Sequence, residues 1–137
     1  MNYLLDTNAC IALINRTSTA VRSRFQRAVG GGAQIYVSSV VAFELWYGVA
    51  KSVHRGLNSQ RLEAFLAGPI ILLPFEEQDG RVAGSIRAAL QSSGAPIGAY
   101  DTLIAGQALA RELTLVTANV FEFSRVKGLT WQDWARV

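Results

Sequence analysis

Short apolar segments that alternate with helical segments constrain the fold of this 137-residue chain more than any other feature. Several of these segments are apolar throughout, so they belong in a parallel sheet that is covered by helices on both faces. We therefore predict an α/β fold, a single domain over residues 1–137 arranged as a three-layer α/β/α sandwich with a central, mostly parallel sheet. The predicted strands are 3–5, 34–37, 70–73 (buried), 114–116 and a short one near 128–131. The predicted helices are 9–14, 17–29, one capped at 38–39 that runs to about 53, 58–67, 76–92 and 99–112.

The composition excludes several classes of protein. Half of the residues are hydrophobic, which argues against disorder, yet no apolar run is long enough to span a bilayer. The opening MNYLLDTN places an acid where a signal peptide would continue its apolar stretch. The single cysteine, Cys10, cannot form a disulfide within the chain. We expect a soluble cytoplasmic protein without membrane contacts.

The basic residues point weakly to a nucleic acid. Lysine and arginine number 13 against 10 acids, and all but Lys51 and Lys127 of these basic residues are arginines. Arginine forms bidentate contacts with phosphate, and a basic surface attracts polyanions. Ordinary compositional bias explains a net charge of +3 equally well.

The scarcity of other reactive side chains restricts the available chemistry. The chain has one histidine, His54, and one cysteine, so a Cys/His zinc site and a Ser-His-Asp arrangement are both implausible. The glycine run at 30–32 follows a helix and lacks the lysine of a phosphate-binding loop. Any catalysis must therefore rest on carboxylates.

Three of the ten acids stand out from the rest. Asp6 follows an apolar strand, Glu44 lies inside an apolar helical segment, and Asp101 begins a helix that continues with apolar residues. Such acids need a cation or hydrogen-bond donors nearby. The other seven lie among polar neighbours or at element ends and are predicted at the surface: Glu63, Glu76, Glu77, Asp79, Glu112, Glu122 and Asp133.

Each of the three acids also has an ordinary structural explanation. Asp6 could cap a helix, Asp101 could be a first-turn acid, and Glu44 could form a salt bridge with an arginine. Taken together, however, they occupy positions that a parallel sheet can bring to one edge. Three carboxylates at one place are typical of a site for a hard cation, Mg²⁺ or Mn²⁺, that acts on a phosphodiester.

Four segments carry a resemblance to a known family. LLDTN, SSVVAFELWYG, IGAYDTLIAGQAL and LVTANVFEFSRVKGL occur in the order and spacing of PIN-domain proteins. They look most like the VapC toxins of bacterial toxin–antitoxin pairs, and the match covers nearly the whole chain. In the family, the first three acids correspond to Asp6, Glu44 and Asp101, and the often acidic fourth position corresponds to Asn119.

The resemblance implies the activity and the partners. It implies a homodimer that can enter a larger toxin–antitoxin assembly, a cognate VapB-type antitoxin, and Mg²⁺-dependent endoribonuclease activity that Mn²⁺ also supports. DNA would be contacted only through the antitoxin. The implied substrate is RNA such as tRNA, with initiator tRNA cut in its anticodon loop as the narrower prediction.

Individual residues receive roles on the same basis. Asp6 and Asp101 are the expected metal ligands, and Glu44 is expected to orient or deprotonate the attacking water, with Asn119 and Thr117 completing the water shell. Hydrogen bonds to RNA phosphates are expected from Thr7, Asn8, Ser38 and Thr117, for each of which helix capping is the alternative. Trp46 and Tyr47 are expected at the antitoxin interface, with core packing as the alternative.

Two other functions remain open at this stage. A non-catalytic PIN-like module would bind nucleic acid or regulate without cleavage, and the asparagine at position 119 leaves room for it. A phosphoacceptor receiver domain would need paired acids near the first strand and a lysine after the last strand, whereas Asp6 stands alone and Lys127 follows a turn.

Overall fold

The computed structural model describes residues 1–136 as five strands and seven helices, and Val137, the last residue of the predicted domain, lies outside the described residues. The strands are β1 (Tyr3–Leu5), β2 (Ile35–Ser38), β3 (Ile71–Leu73), β4 (Thr114–Val116) and β5 (Trp131–Gln132). The helices are α1 (Thr7–Asn15), α2 (Thr19–Gly30), α3 (Ser39–Ala50), α4 (Arg55–Leu66), α5 (Glu77–Ser92), α6 (Ala99–Ala110) and α7 (Val120–Phe123). No helix within residues 1–136 combines the length and apolar character needed to cross a membrane.

All five strands are parallel, in the order β3-β2-β1-β4-β5, which confirms the predicted sheet. Helices α1 to α4 contact one another in one layer, and α5 packs against α6 in the other. In the central strand, Leu4 and Leu5 have no exposed surface. The chain runs from β1 outward to β3 and then crosses back to β4 on the other side of β1, so the strand order reverses between β1 and β4. In open parallel sheets, ligands bind at the carboxyl ends of the strands at such a reversal.

Strand β3 differs from its prediction. It forms an edge of the sheet rather than a buried strand, and Ile71 and Leu72 are 42% and 50% exposed. A short apolar run does not distinguish a central strand from an edge strand, because that difference depends on the neighbours that the sheet order supplies. Helix α7 was not predicted, because four residues are too few to show a helical period.

Helices α5 and α6 cross at unusually close range. A Cβ atom at Gly106 would lie 2.7 Å from the Cα of Ala83, so only glycine fits at that point of α6. This contact fixes the position of α6 relative to α5. It thereby fixes the position of Asp101, which lies five residues before Gly106 on α6.

A buried ion pair holds the same two helices together. Asp79 has no exposed surface, contrary to its predicted surface position, and accepts hydrogen bonds from Arg111 Nε at 3.0 Å and Nη2 at 3.1 Å. Gln107 Nε2 and the backbone amide of Glu76 also donate to Asp79, at 3.3 and 2.8 Å. Burial alone would raise the pKa of Asp79, but these hydrogen bonds and the charge of Arg111 outweigh it and lower that pKa.

We predict that Asp79→Asn lowers the free energy of unfolding by about 2 kcal/mol, because it removes the charged acceptor of two Arg111 hydrogen bonds while that guanidinium keeps its contacts with solvent and Glu76. Glu77→Gln is the matched control, since its ion pair with Arg81 is solvent-exposed and contributes little. Because the pKa of Asp79 is lowered on folding, the difference should be fully present above the ordinary value of 3.8 and shrink as the pH falls below it. Urea unfolding as a function of pH measures both effects, and an Asp79→Asn protein as stable as the control would contradict them.

Candidate active site

Asp6 sits at the reversal in strand order, directly after β1. Its backbone amide donates to the Val116 carbonyl of β4 at 3.0 Å, and its Oδ1 accepts the Ala9 amide at 2.7 Å as the N-cap of α1. The carboxylate is buried, and burial raises its pKa, with hydrogen bonds from Thr117 and Ala9 acting in the opposite direction. Asp6 is therefore both the expected helix cap and a buried acid that faces other acids.

Asp101 lies in the first turn of α6 and faces further carboxylates. Burial, then Glu122 and then the charges of Asp6 and Glu44 together raise the pKa of Asp101 from its ordinary 3.8 to about 6. A carboxyl group with such neighbours holds its proton to a higher pH than an ordinary carboxyl group, and a nearby cation would oppose that effect. The three acids predicted to form one site therefore do act on one another.

Glu44 is held by a hydroxyl group rather than by an arginine. Its Oε1 accepts a hydrogen bond from Thr7 Oγ1 at 2.7 Å, which links α3 to the first turn of α1. Among residues 1–136 no arginine forms a salt bridge with Glu44, so the predicted ion-pair alternative does not apply.

Glu122 is a fourth acid of this site that the sequence reasoning missed. It was predicted at the surface, but it is half-buried on α7, where it helps to raise the pKa of Asp101 and its Oε2 accepts a hydrogen bond from Asn119 Nδ2 at 2.9 Å. The signal that could have located it is Phe123, which is fully buried next to Glu122 and fixes the orientation of the short helix. Asn119 thus lies at the same edge, with its amide nitrogen already used.

The hydroxyl groups at the strand ends mostly serve the fold. Ser38 and Thr117 are buried; Ser38 Oγ accepts the Val40 amide at 3.1 Å, and Thr117 Oγ1 accepts the Asn119 amide at 3.0 Å. The capping alternative therefore describes Ser38, and Thr117 supports Asp6 and the turn after β4. Thr7 is engaged with Glu44, and Asn8 is exposed.

The aromatic pair on α3 is exposed and lies outside the neighbouring groove. Trp46 and Tyr47 are 37% and 59% exposed, and Lys51 Nζ lies 4.9 Å from the centre of the Tyr47 ring. The neighbouring groove between α1, α3 and α4 is formed by other residues of α3, including Glu44 and Gly48.

The donor set suits a hard divalent cation. Four carboxylates from four different segments of the chain come together at the carboxyl ends of the strands. Carboxylate oxygens are the ligands that Mg²⁺ and Mn²⁺ prefer. Within residues 1–136, however, no three His, Cys, Asp or Glu side chains form a preassembled ligand set.

Comparisons with known proteins identify the family of this chain. The model of the PIN domain matches residues 3–129. Over 135 residues the chain is 38% identical to the tRNA(fMet)-specific endonuclease VapC of Shigella flexneri, with 98% of this chain and 99% of that protein covered. Over 134 residues it is 36% identical to the protein of the same name from Salmonella typhimurium, with 98% of each chain covered.

A solved complex has the same fold. The structure of VapBC2 from Rickettsia felis bound to a DNA fragment from its promoter superposes with a TM-score of 0.91 and 34% identity, covering 98% of this chain and 99% of that one. A receiver domain is thereby excluded. The chain belongs to the PIN-domain family, and within it to the VapC toxins.

Proposed function

We propose that this protein is a Mg²⁺-dependent endoribonuclease whose activity Mn²⁺ also supports, and that it acts as the toxin of a toxin–antitoxin pair. The observation that carries the proposal is the meeting of Asp6, Glu44, Asp101 and Glu122 where the strand order reverses. Relatives that share its full length are named ribonucleases or tRNA endonucleases. A non-catalytic module would have no need to keep four mutually repelling acids in one place.

The surroundings of the four acids suggest metal binding for three of them and a different role for Glu44. Asp6, Asp101 and Glu122 would hold the cation, with the Asn119 carbonyl oxygen as a further, uncharged ligand. The cation would supply charge that stabilises the developing negative charge on the phosphate. Asp6 is rigid, because both the Ala9 amide and the Thr117 hydroxyl bind it.

Glu44 is the residue best placed to orient or deprotonate the attacking water. The Thr7 hydroxyl occupies Oε1 and fixes the direction of the carboxylate. Oε2 accepts no hydrogen bond from residues 1–136, so it can accept one from water. Among the proposed phosphate contacts, Asn8 remains the exposed donor at this edge.

The substrate proposed is tRNA, and within it the anticodon loop of initiator tRNA. Two relatives are named for tRNA(fMet), and each aligns with this chain over 98% of its length. The candidate site lies at the carboxyl ends of the strands and is open. Such a site suits a phosphodiester in an unpaired loop, because the backbone of a loop can bend towards the acids.

The first prediction from this proposed function concerns stability and catalysis together. In Asp101 the folded pKa is about 6 against an ordinary 3.8, so the folded state binds more protons and loses stability as the pH rises through this window. At neutral pH without metal, Asp101→Asn should therefore raise the melting temperature while it abolishes RNA cleavage, a trade of activity for stability.

Adding Mg²⁺ should raise the melting temperature of the wild type but not of Asp101→Asn, and EDTA should abolish wild-type cleavage. Differential scanning calorimetry and a gel assay measure these effects. Glu77→Gln is the control, since its carboxylate is exposed and paired with Arg81. Cleavage by Asp101→Asn at the wild-type rate, or undiminished cleavage in EDTA, would disprove the metal site.

The second prediction concerns the substrate. With Mg²⁺ and total bacterial tRNA, the protein should cut initiator tRNA in the anticodon loop, and sequencing of the RNA ends should map one dominant site. The elongator methionine tRNA, which reads the same codon, is the matched control and should be cut much more slowly. Equal cleavage of both tRNAs would refute the initiator-specific assignment while leaving the ribonuclease intact.

The antitoxin is proposed to bind along the groove between α1, α3 and α4. This groove, of about 220 Å³, has apolar walls from Ile11, Ile14 and Val49, and Glu44 and Arg61 provide charged positions. Because Glu44 belongs to both groove and site, an antitoxin arginine in this groove could pair with the acids and block them. Homodimerisation, and DNA contact only through the antitoxin, are proposed by analogy with complexes such as VapBC2.

The third prediction tests this groove. A Cβ at Gly48 meets no atom within 4 Å, so Gly48→Phe should fold normally and fill the groove. Antitoxin affinity, measured by calorimetry, should fall by about tenfold or more, as for a central interface position. Ala50→Phe, exposed on the same helix, is the control. Loss of affinity in Trp46→Ala or Tyr47→Ala, with Gly48→Phe unaffected, would move the interface to the exposed aromatic face of α3.

A further inference from the structure

Three exposed aromatic residues each directly precede an acid of the active site. Phe43 precedes Glu44, Tyr100 precedes Asp101, and Phe121 precedes Glu122. Their exposed fractions are 54%, 46% and 76%, unlike the fully buried Phe123. Exposing large rings costs free energy, so rings repeatedly placed beside the reactive groups indicate a ligand with apolar faces.

Phe43 and Tyr100 form a pair that joins the two helices carrying Glu44 and Asp101. Their ring centroids are 5.8 Å apart with an interplanar angle of 46°, and both rings keep about half of their surface in solvent. Residues next to each other on a helix rise only about 1.5 Å along its axis and point about 100° apart, so each ring lies at the level of its acid on an adjoining face of the helix. The pair is therefore a solvent-facing apolar surface on the same helix turns that carry Glu44 and Asp101.

Phe121 repeats the pattern with a cation added. The Arg125 guanidinium lies 4.7 Å from the centre of the Phe121 ring, and Arg125 Nη1 donates to the Pro96 carbonyl at 3.1 Å. Pro96 belongs to the segment that leads into α6, so Arg125 connects α7 with the approach to Asp101. A ring with a fixed guanidinium beside it offers a stacking surface and a phosphate contact together.

We infer that the Phe43–Tyr100 pair stacks on an unpaired base next to the cleaved phosphate, and that Phe121 with Arg125 binds a neighbouring nucleotide. This inference rests on the proposed ribonuclease function. Bases in a duplex have their faces covered by their neighbours, whereas a base in a loop can turn outward and stack on a ring. The aromatic residues then select unpaired RNA and supply affinity for it. The carboxylates, which repel phosphate until a cation binds, do not have to supply that affinity.

The test measures binding separately from cleavage. In the full-length Asp101→Asn protein, Phe43→Leu and Tyr100→Leu should each weaken binding of a fluorescent RNA hairpin with an unpaired loop by about tenfold. Binding of a fully paired RNA duplex of equal length should not change. Val53→Ala, which removes an exposed apolar side chain from the turn between α3 and α4, should leave both affinities unchanged. Phe43→Trp and Tyr100→Phe keep a ring and should retain loop binding.

The outcomes separate this inference from the proposed function. Equal affinities of the leucine variants and the parent for the loop RNA would overturn stacking, and so would equal losses on loop and duplex. Light scattering on the same variants tests the alternative that a second protein chain covers the rings. Dissociation of an oligomer in Phe43→Leu with unchanged RNA affinity would assign the pair to a subunit contact and overturn the inference. Failure of the wild type to cleave any RNA with Mg²⁺ would instead refute the proposed function.

Discussion

The repulsion among four carboxylates is the constraint on which the rest of this structure depends. Asp6 and Asp101 both have raised pKa values, chiefly because burial disfavours their charge, and each also faces other acids. A fold that brings such groups together is less stable for it, so other interactions must compensate. The central strand β1, in which Leu4 and Leu5 are fully buried, and the close crossing of α5 and α6 are the main rigid contributions, and neither tolerates much displacement.

The parallel sheet explains why the acids meet at this place. Asp6 follows β1, and Thr117 follows β4, the strand paired with β1 across the reversal in strand order. Because these two strands are neighbours, their ends place the Thr117 hydroxyl beside the Asp6 carboxylate. No separate loop has to be ordered to form this contact. Helices α3, α6 and α7 then bring Glu44, Asp101 and Glu122 to the same edge, each from its own part of the chain.

The sequence was sufficient to predict the class of fold and to single out three of the four acids. Each of those three acids adjoins apolar residues, where a carboxylate without a partner would be costly to bury. Glu44 stands inside a long apolar segment that predicts a helix, whereas Glu122 stands between Phe121 and Phe123 in a segment too short to show a helical period, so its orientation was not predictable. The edge position of β3 and the burial of Asp79 were also missed. Both depend on contacts between distant segments, β3 with its single neighbouring strand and Asp79 with Arg111 and Gln107, and a local pattern does not contain them.

Asp79 and Asp101 show how the same residue type serves two purposes in this fold. Both lie in the first turn of a helix, α5 and α6 respectively, where the helix dipole favours a negative charge. Asp79 receives a guanidinium and two further donors, and its pKa is lowered, so its charge is satisfied within the protein. Asp101 instead faces Glu122, Asp6 and Glu44, and its pKa is raised to about 6. In the proposed function, Asp101 is therefore an acid whose charge an external cation would compensate. A metal ion and an arginine of an antitoxin would both meet that need, and so a single unbalanced charge cluster would account for activation and inhibition alike.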